Sequence, residues 1–369
     1  MLAAYRGKKL DRLPVAPEFW CYMAARTLGV NQIELHREIP LWKALQETFK
    51  HYECEGWAVV GPAAPPCPFR IETEEKKDDK RIEIVHTVHA ENRNLTSRQL
   101  MTADDPPWRV ERPIKDFEAD WEIYKKIALP DPAEYNWEPV CDALREVGED
   151  YLLEVFIANP FTDFVGEPRE GDFTQMILDL TDHEHYLTEL RQRYIEHRCQ
   201  LIRDALAKTP AESVFIGCSW ACASLLGAPL WRKWDKPALQ TFVKTAHDSG
   251  GLIHIHCHGS CTELVPDFAE MEVDCLCPLE RPPGGDVTPE NMPEIKDITR
   301  GNMTLNGNVH TVETLIRAEP QDVREEVEET LNLWGDDGRL IVGTGDQVGG
   351  ETPDENIHAM IETVKTYGE

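Results

Sequence analysis

The sequence predicts an α/β protein, a (β/α)8 barrel of the TIM type with a β-rich insertion after its second strand. Short apolar runs alternate with longer helical patterns about eight times. Continuous apolar strands alternating with helices imply a parallel sheet. The chain has 369 residues, within the span of one elaborated barrel, typically ~250 and up to more than ~400 residues. Histidines, amides and acids follow directly on the apolar runs, at the strand ends where a barrel carries its functional residues. Residues 1–369 are read as a single domain and 67–113 as an insertion within it, with no internal repeat or linker.

The first run, 12–20, is apolar and carries prolines at its start; 41–52 reads as a helix and 57–60 as the second strand. Between 67 and 113, segments 69–74, 81–89 and 95–101 are charged, rich in Thr, Ile and Val, and separated by turn residues, which is a hairpin signature. Strands then follow at 151–158, 212–218, 251–257, 273–277, 303–306 and 339–342. Helical patterns fill 134–147, 164–180, 183–208, 229–249, 261–271, 289–298, 320–334 and 352–367. In the last helix Thr352 reads as the N-cap, with Pro353 in the first turn and acids after it.

Hydrophobic residues make up 41% of the chain, enough for a large core, and 38 basic against 67 acidic residues leave a net charge of −29. Such a surface repels phosphate backbones and anionic membranes, which argues against both as partners. Solubility alone accounts for that acidity, and a basic protein partner is also compatible with it. The 11 cysteines are irregularly spaced and odd in number, so a disulfide framework is not expected. The amino-terminal dozen residues lack the apolar core of a signal peptide, and no apolar run reaches the ~18 residues of a membrane span. A reducing, cytoplasmic setting is expected.

The chemistry concentrates in Ile253-His254-Ile255-His256-Cys257-His258-Gly259. Alternate side chains of a strand share a face, so His254, His256 and His258 line one side and Cys257 the other. Clustered imidazoles serve as metal ligands or acid/base groups. His256 and His258 fall at the strand's C-terminal end; His254 lies deeper and reads as structural. Glu280 follows the next strand in a Pro-rich turn, as a ligand, a general acid/base, a substrate anchor, or a surface acid paired with Arg281. Cys275 and Cys277 share a face and read as buried core thiols. Asn306, Asn308 and His310 follow the strand at 303–306 and suit polar substrate recognition. Asp346, in a Gly-rich loop without the Lys-Ser/Thr of a nucleotide site, offers a third ligand to the histidines. Trp20, Tyr22, Arg26 and Trp220 follow other strands, either shaping a pocket for an aromatic or carboxylate-bearing ligand or packing beneath loops.

Taken together, His256-Cys257-His258-Gly259, Pro278-Leu279-Glu280, Asn306-Gly307-Asn308, Thr352-Pro353-Asp354-Glu355-Asn356-Ile357 and the opening Arg12-Leu13-Pro14-Val15-Ala16-Pro17 resemble the uroporphyrinogen decarboxylase superfamily along nearly the whole chain. That superfamily includes the decarboxylase and zinc-dependent methyltransferases that work with corrinoid proteins, and the resemblance implies the same barrel. Two departures speak against porphyrinogen decarboxylation. Tyr22 stands at the first position of the decarboxylase's arginine pair, leaving Arg26 alone. The decarboxylase's aspartate has no counterpart in Gly61-Pro62-Ala63-Ala64-Pro65-Pro66. The methyltransferases' zinc motif, His-x-Cys-Gly with a distant Cys, becomes His256-x-His258-Gly259 with Asp346.

The resemblance thus implies zinc, with iron(II) as the less favoured ion, on His256, His258 and Asp346. Fewer thiolates make the ion a stronger Lewis acid, suited to an oxygen-bearing substrate. The expected reaction is methyl transfer from a small methoxylated or methylated compound to a corrinoid on a separate protein. Glu280 would be a fourth ligand or proton donor, His310 a catalytic group, and Trp20, Tyr22, Arg26, Trp220, Asn306 and Asn308 the substrate pocket. A metal-dependent lyase acting on a small carboxylate, and a non-catalytic corrinoid or metabolite carrier, are the alternatives.

Overall fold

The structure, a computed structural model, describes residues 1–78 and 80–367. Within them eleven strands form two sheets. The first is parallel: β1 (Trp57–Val60) pairs with β6 (Leu152–Ala158), followed in order by β7 (Ser213–Cys218), β8 (Leu252–Cys257), β9 (Cys275–Cys277), β10 (Thr304–Val309) and β11 (Leu340–Thr344). The second is antiparallel, with β2 (Arg70–Lys77), β3 (Arg81–Ala90), β4 (Arg93–Thr102) and β5 (Trp108–Glu111) in sequence order.

The parallel sheet is covered on both faces, by a different core on each. Val155, Val214, Ile216, Ile253, Ile255, Leu276, Leu305 and Val342 point outward into the large core shared with the helices. Trp57, Phe215, Cys275, Cys277 and Ile341 point inward, packing with Tyr5 and Ala16 into a smaller core. The strict alternation of the two sets follows from the two-residue period of a strand. The helix Leu2–Tyr5 closes the floor of the curl. Thr304 Oγ1 donates to the Ala4 carbonyl at 2.8 Å and Arg339 Nη1 to the Tyr5 carbonyl at 2.9 Å.

The proline-bearing run at 12–20 forms less strand than the sequence suggested. Val15 makes one parallel bridge to Val342, through Ala16 N to Val342 O and Val342 N to Pro14 O, each 2.9 Å. Pro14 and Pro17 have no N–H to extend that ladder. The structure therefore presents a seven-stranded curled sheet with one further bridged segment.

Other differences have local causes. The pattern at 164–180 splits into Phe161–Gly166 and Asp172–Asp182, with Gly171 at φ +89° turning the chain between them. The pattern at 229–249 splits into Ala228–Trp234 and Lys236–Asp248, and Pro237 starts the second helix. The helix expected at 134–147 starts at Glu138, and β10 runs on to Val309. Thr352 does not cap the last helix, which spans Asp354–Thr366 after Pro353; its hydroxyl is buried without a partner. Helices at Cys21–Leu28, Gln32–Glu38 and Phe117–Ala128, and the edge strand β5, were not anticipated. Among the described residues no helix is long and apolar enough to cross a membrane. All 11 cysteines are free.

Candidate functional site

Strand β8 carries its histidines on the inner face. In the parallel register His254 lies beside Cys275 and His256 beside Cys277. His254 is wholly buried near the floor. Its Nδ1 is 2.8 Å from Glu154 Oε2 and 3.1 Å from the Tyr5 hydroxyl, and its Nε2 is 3.0 Å from Cys277 Sγ. Glu154 Oε1 accepts from Ser213 Oγ at 2.8 Å. Burial opposes charge on His254, but Cys277 and Glu154 outweigh it and lift its pKa to about 10. Burial pushes the Cys277 thiol up.

One layer higher, His256 Nε2 lies 3.1 Å from Glu18 Oε1, which also accepts from Trp20 Nε1 at 2.5 Å. Burial works against the Glu18 charge, but His256 and the Trp20 donor hold its pKa below the ordinary value. The Glu18 backbone is fixed to β11 and the loop after it. Its N–H donates to Thr344 Oγ1 at 3.0 Å and its carbonyl accepts from Val348 N at 3.0 Å.

At the mouth, His258 Nδ1 lies 2.8 Å from Glu280 Oε1 and His258 Nε2 3.8 Å from Asp346 Oδ1. The His256 and His258 rings cross at 70° with centroids 4.5 Å apart. Burial disfavours charge on His258, but the Glu280 bond and Asp346 outweigh it and lift its pKa to about 9. Burial and the Glu18 carboxylate raise Asp346. Asp346 sits at φ +141°, a backbone region that side-chain-bearing residues seldom adopt. Its Oδ1 accepts from Gln347 N at 2.6 Å.

The structure thus brings the three sequence-proposed ligands together: donor atoms of His256, His258 and Asp346 lie within 4.8 Å of one another. Two nitrogens and one carboxylate oxygen are a donor set that zinc or iron(II) accepts. Glu280 lies behind His258, where its Oε1 also takes the Gly259 N–H at 2.7 Å. A Cβ at Gly284 would collide with Glu280 Oε2, so the bare glycine makes room for this carboxylate. That placement suits an orienting partner of a ligating imidazole.

Several other predicted residues are committed elsewhere. Arg26 donates to the carbonyls of Gly350 (3.0 Å) and Thr352 (2.6 Å) and pairs with Asp354, tying down the loop that bears Asp346. His310 Nδ1 accepts from Val312 N and Glu313 N, both at 3.1 Å, so Nε2 carries the proton and donates to the Pro282 carbonyl at 2.9 Å. Nδ1 thus caps the π-helical turn Thr311–Ile316, and Nε2 ties it to the loop at Pro282. Asn308 is fully buried and accepts from Thr330 Oγ1 at 3.3 Å, towards the helix layer.

The remaining pocket candidates have less demanding contacts. Asn306 lies on the inner-face register with a buried amide nitrogen lacking a partner. Trp20 packs edge-on against Trp57 at 5.3 Å, and Tyr22 OH donates to Asp105 at 3.3 Å. Trp220 lies under Arg112 at 5.6 Å, and its backbone N–H donates to Asp163 at 2.8 Å. Sequence reasoning missed Glu18, Glu154 and Tyr5, and assigned Cys277 only to the core. The usable signal was an acid inside an apolar run, at Glu18 and again at Glu154.

A curled parallel sheet whose imidazoles and carboxylates gather at the C-terminal strand ends defines an α/β enzyme. The chain belongs to the uroporphyrinogen decarboxylase (URO-D) family, whose model matches residues 101–367. Among solved structures, a methyltransferase from Methanosarcina mazei shares the fold with TM-score 0.66 and 17% identity, over 100% of this chain and 98% of that one. An uncharacterized protein (TM-score 0.28, 14% identity, 47% of this chain and 49% of that chain) is far more distant. So is a mandelate racemase/muconate lactonizing enzyme-like protein from Rubrobacter xylanophilus (TM-score 0.25, 11% identity, 81% and 86%). No curated protein matches the chain.

Proposed function

We propose that this protein is a zinc-dependent methyltransferase, moving a methyl group from a small methoxylated or methylated compound to a corrinoid on a separate protein. The observation that carries the reading is the convergence of His256, His258 and Asp346 within 4.8 Å at the sheet's C-terminal mouth. It is supported by the family membership and by the fold shared with the Methanosarcina methyltransferase. In this reading the parallel sheet closes as an eight-stranded barrel, with Pro14–Ala16 taking the first strand's place beside β11. The free cysteines suit a reducing, cytoplasmic setting.

Zinc held by His256, His258 and Asp346 would supply Lewis acidity to the heteroatom that bears the methyl group. The chain's own residues do the rest. Glu280 accepts a hydrogen bond from His258 Nδ1, leaving Nε2 turned toward Asp346. Arg26 holds the loop on which Asp346 sits. Trp20 closes over Glu18 and shapes the pocket with Tyr22, while Trp220 forms part of its wall. Asn306, with its unpartnered amide nitrogen, is the donor available to a polar substrate group. Both terminal amino groups of Arg26 are engaged by the Gly350 and Thr352 carbonyls, Tyr52 and Asp354, which weighs against its anchoring a substrate carboxylate and so against the decarboxylase and lyase alternatives.

The test is methyl transfer from a panel of methoxylated and methylated donors to cob(I)alamin, followed by the corrinoid's absorbance change. Turnover that requires zinc and is lost in Asp346→Ala supports the reading. Absence of turnover with every donor by zinc-loaded protein overturns it.

A further inference from the structure

Below the mouth, a second set of donors converges. Glu18, His256 and Cys277 place ligand atoms within 4.8 Å of one another, and all three are buried. The three come from different elements: Glu18 from the segment beside β11, His256 from β8, Cys277 from β9. His256 and Cys277 are direct neighbours in the parallel register, so both point to the inner face at one level.

We propose that Glu18, His256 and Cys277 form a second cation position beneath the mouth, selective for a thiophilic divalent ion of the zinc class. Three features of the set support it. A thiolate, an imidazole and a carboxylate are all accepted zinc donors, and the thiolate adds softness that the mouth set lacks. Glu18 and ionised Cys277 carry two negative charges, which match a dication in a buried place where an unbalanced charge is costly. The mouth set carries one such charge, and the side chains of His258 and Asp346 are each 34% exposed.

The surroundings also fix the sulfur and the carboxylate in place. His254 Nε2 reaches Cys277 Sγ at 3.0 Å, while its Nδ1 is anchored on Glu154 at 2.8 Å. Trp20 Nε1 fixes the carboxylate of Glu18. Such outer contacts orient ligands and tune their basicity. Loading the position displaces the Cys277 proton to solvent, with no change of oxidation state. The two positions share His256, so one ion occupies one or the other. This inference stands on the lower donors and does not require methyl transfer.

Cobalt(II) titration of the full chain under reducing conditions tests it, because thiolate ligation gives a charge-transfer absorption in the near ultraviolet. The expected result is about one cobalt per chain with that band. The band should disappear in Cys277→Ser, persist in His258→Ala, and be lost on competition with zinc. Cobalt bound without the band, or a band that survives in Cys277→Ser, overturns the inference while leaving the mouth site standing. Failure to take up cobalt overturns it as well. A band lost in Cys277→Ser together with absent methyl transfer supports the inference and removes only the functional reading.

Discussion

His258 Nδ1 lies 2.8 Å from Glu280 Oε1, and that oxygen also accepts the backbone N–H of Gly259 at 2.7 Å. One carboxylate thus fixes both the ring and the chain segment that carries it. Glu280→Gln keeps the shape but loses the charge that makes the imidazole a better ligand. Outer-shell changes of this kind cost roughly 10–100-fold in metal affinity. Zinc affinity of Glu280→Gln, measured by calorimetry in the Cys277→Ser background so that the lower set lacks its thiolate, should drop by a factor in that range. An unchanged affinity would separate Glu280 from the metal site.

Arg26 acts on Asp346 through the loop rather than through substrate. Its guanidinium holds the Gly350 and Thr352 carbonyls and Asp354 at once. Arg26→Ala should cost about 1–2 kcal/mol in denaturant unfolding, the scale of charge-assisted hydrogen bonds at a partly exposed site. It should also weaken zinc binding, because the loop then holds Asp346 less firmly. Arg26→Lys should restore little, since an ammonium lacks the planar fork that reaches several acceptors together. A substrate-anchoring arginine would instead raise KM with unfolding unchanged.

Much of this arrangement was legible in the sequence because strand periodicity is strict. The alternation of His254, His256 and His258 fixes a shared face, and the Gly-rich loop after β11 marks where Asp346 must approach. What lay beyond reach was everything set by closure of the sheet. Glu18 meets His256 across 238 positions of sequence, and Glu154 meets His254 across 100. No local pattern encodes those pairings. The contacts of Arg26 and His310 lay out of reach for a related reason: strand-end position predicts proximity to the mouth, but not which backbone carbonyls and N–H groups engage the side chain. The short first strand was overestimated because the weight of its apolar run outran the two prolines in it, Pro14 and Pro17, which cannot donate to a ladder.

His197 gives a pH dependence unconnected with the metal. It is 7% exposed, and its Nε2 meets the Pro130 carbonyl at 2.8 Å. Burial, reinforced by Arg198, lowers its pKa to about 4, below the ordinary histidine value of 6.5. The unfolded chain therefore binds this proton more readily than the folded one. Stability from this group is fully present above about pH 6.5 and is lost as pH falls towards about 4. His197→Gln can still donate to the Pro130 carbonyl but cannot titrate. Urea unfolding across that interval should show a shallower acid-side decline in the variant. A parallel decline in both proteins would assign the acid sensitivity to other groups.

The Glu154–His254 pair under the site makes the sharpest prediction about stability. Both side chains are wholly buried, 2.8 Å apart, in a polar cluster lined by Trp57 and Phe215. Removing one partner leaves the other without its compensating charge, and such changes cost about 3–5 kcal/mol. Glu154→Leu should fall in that range by denaturant unfolding. The double variant Glu154→Leu/His254→Phe removes both charges and extends the aromatic packing already around the ring. It should recover most of the loss, because the cost belongs to the orphaned charge rather than to the absent pair. If the double variant is as unstable as the sum of its singles, the two residues do not act as a pair, and the floor of the site is held by packing alone.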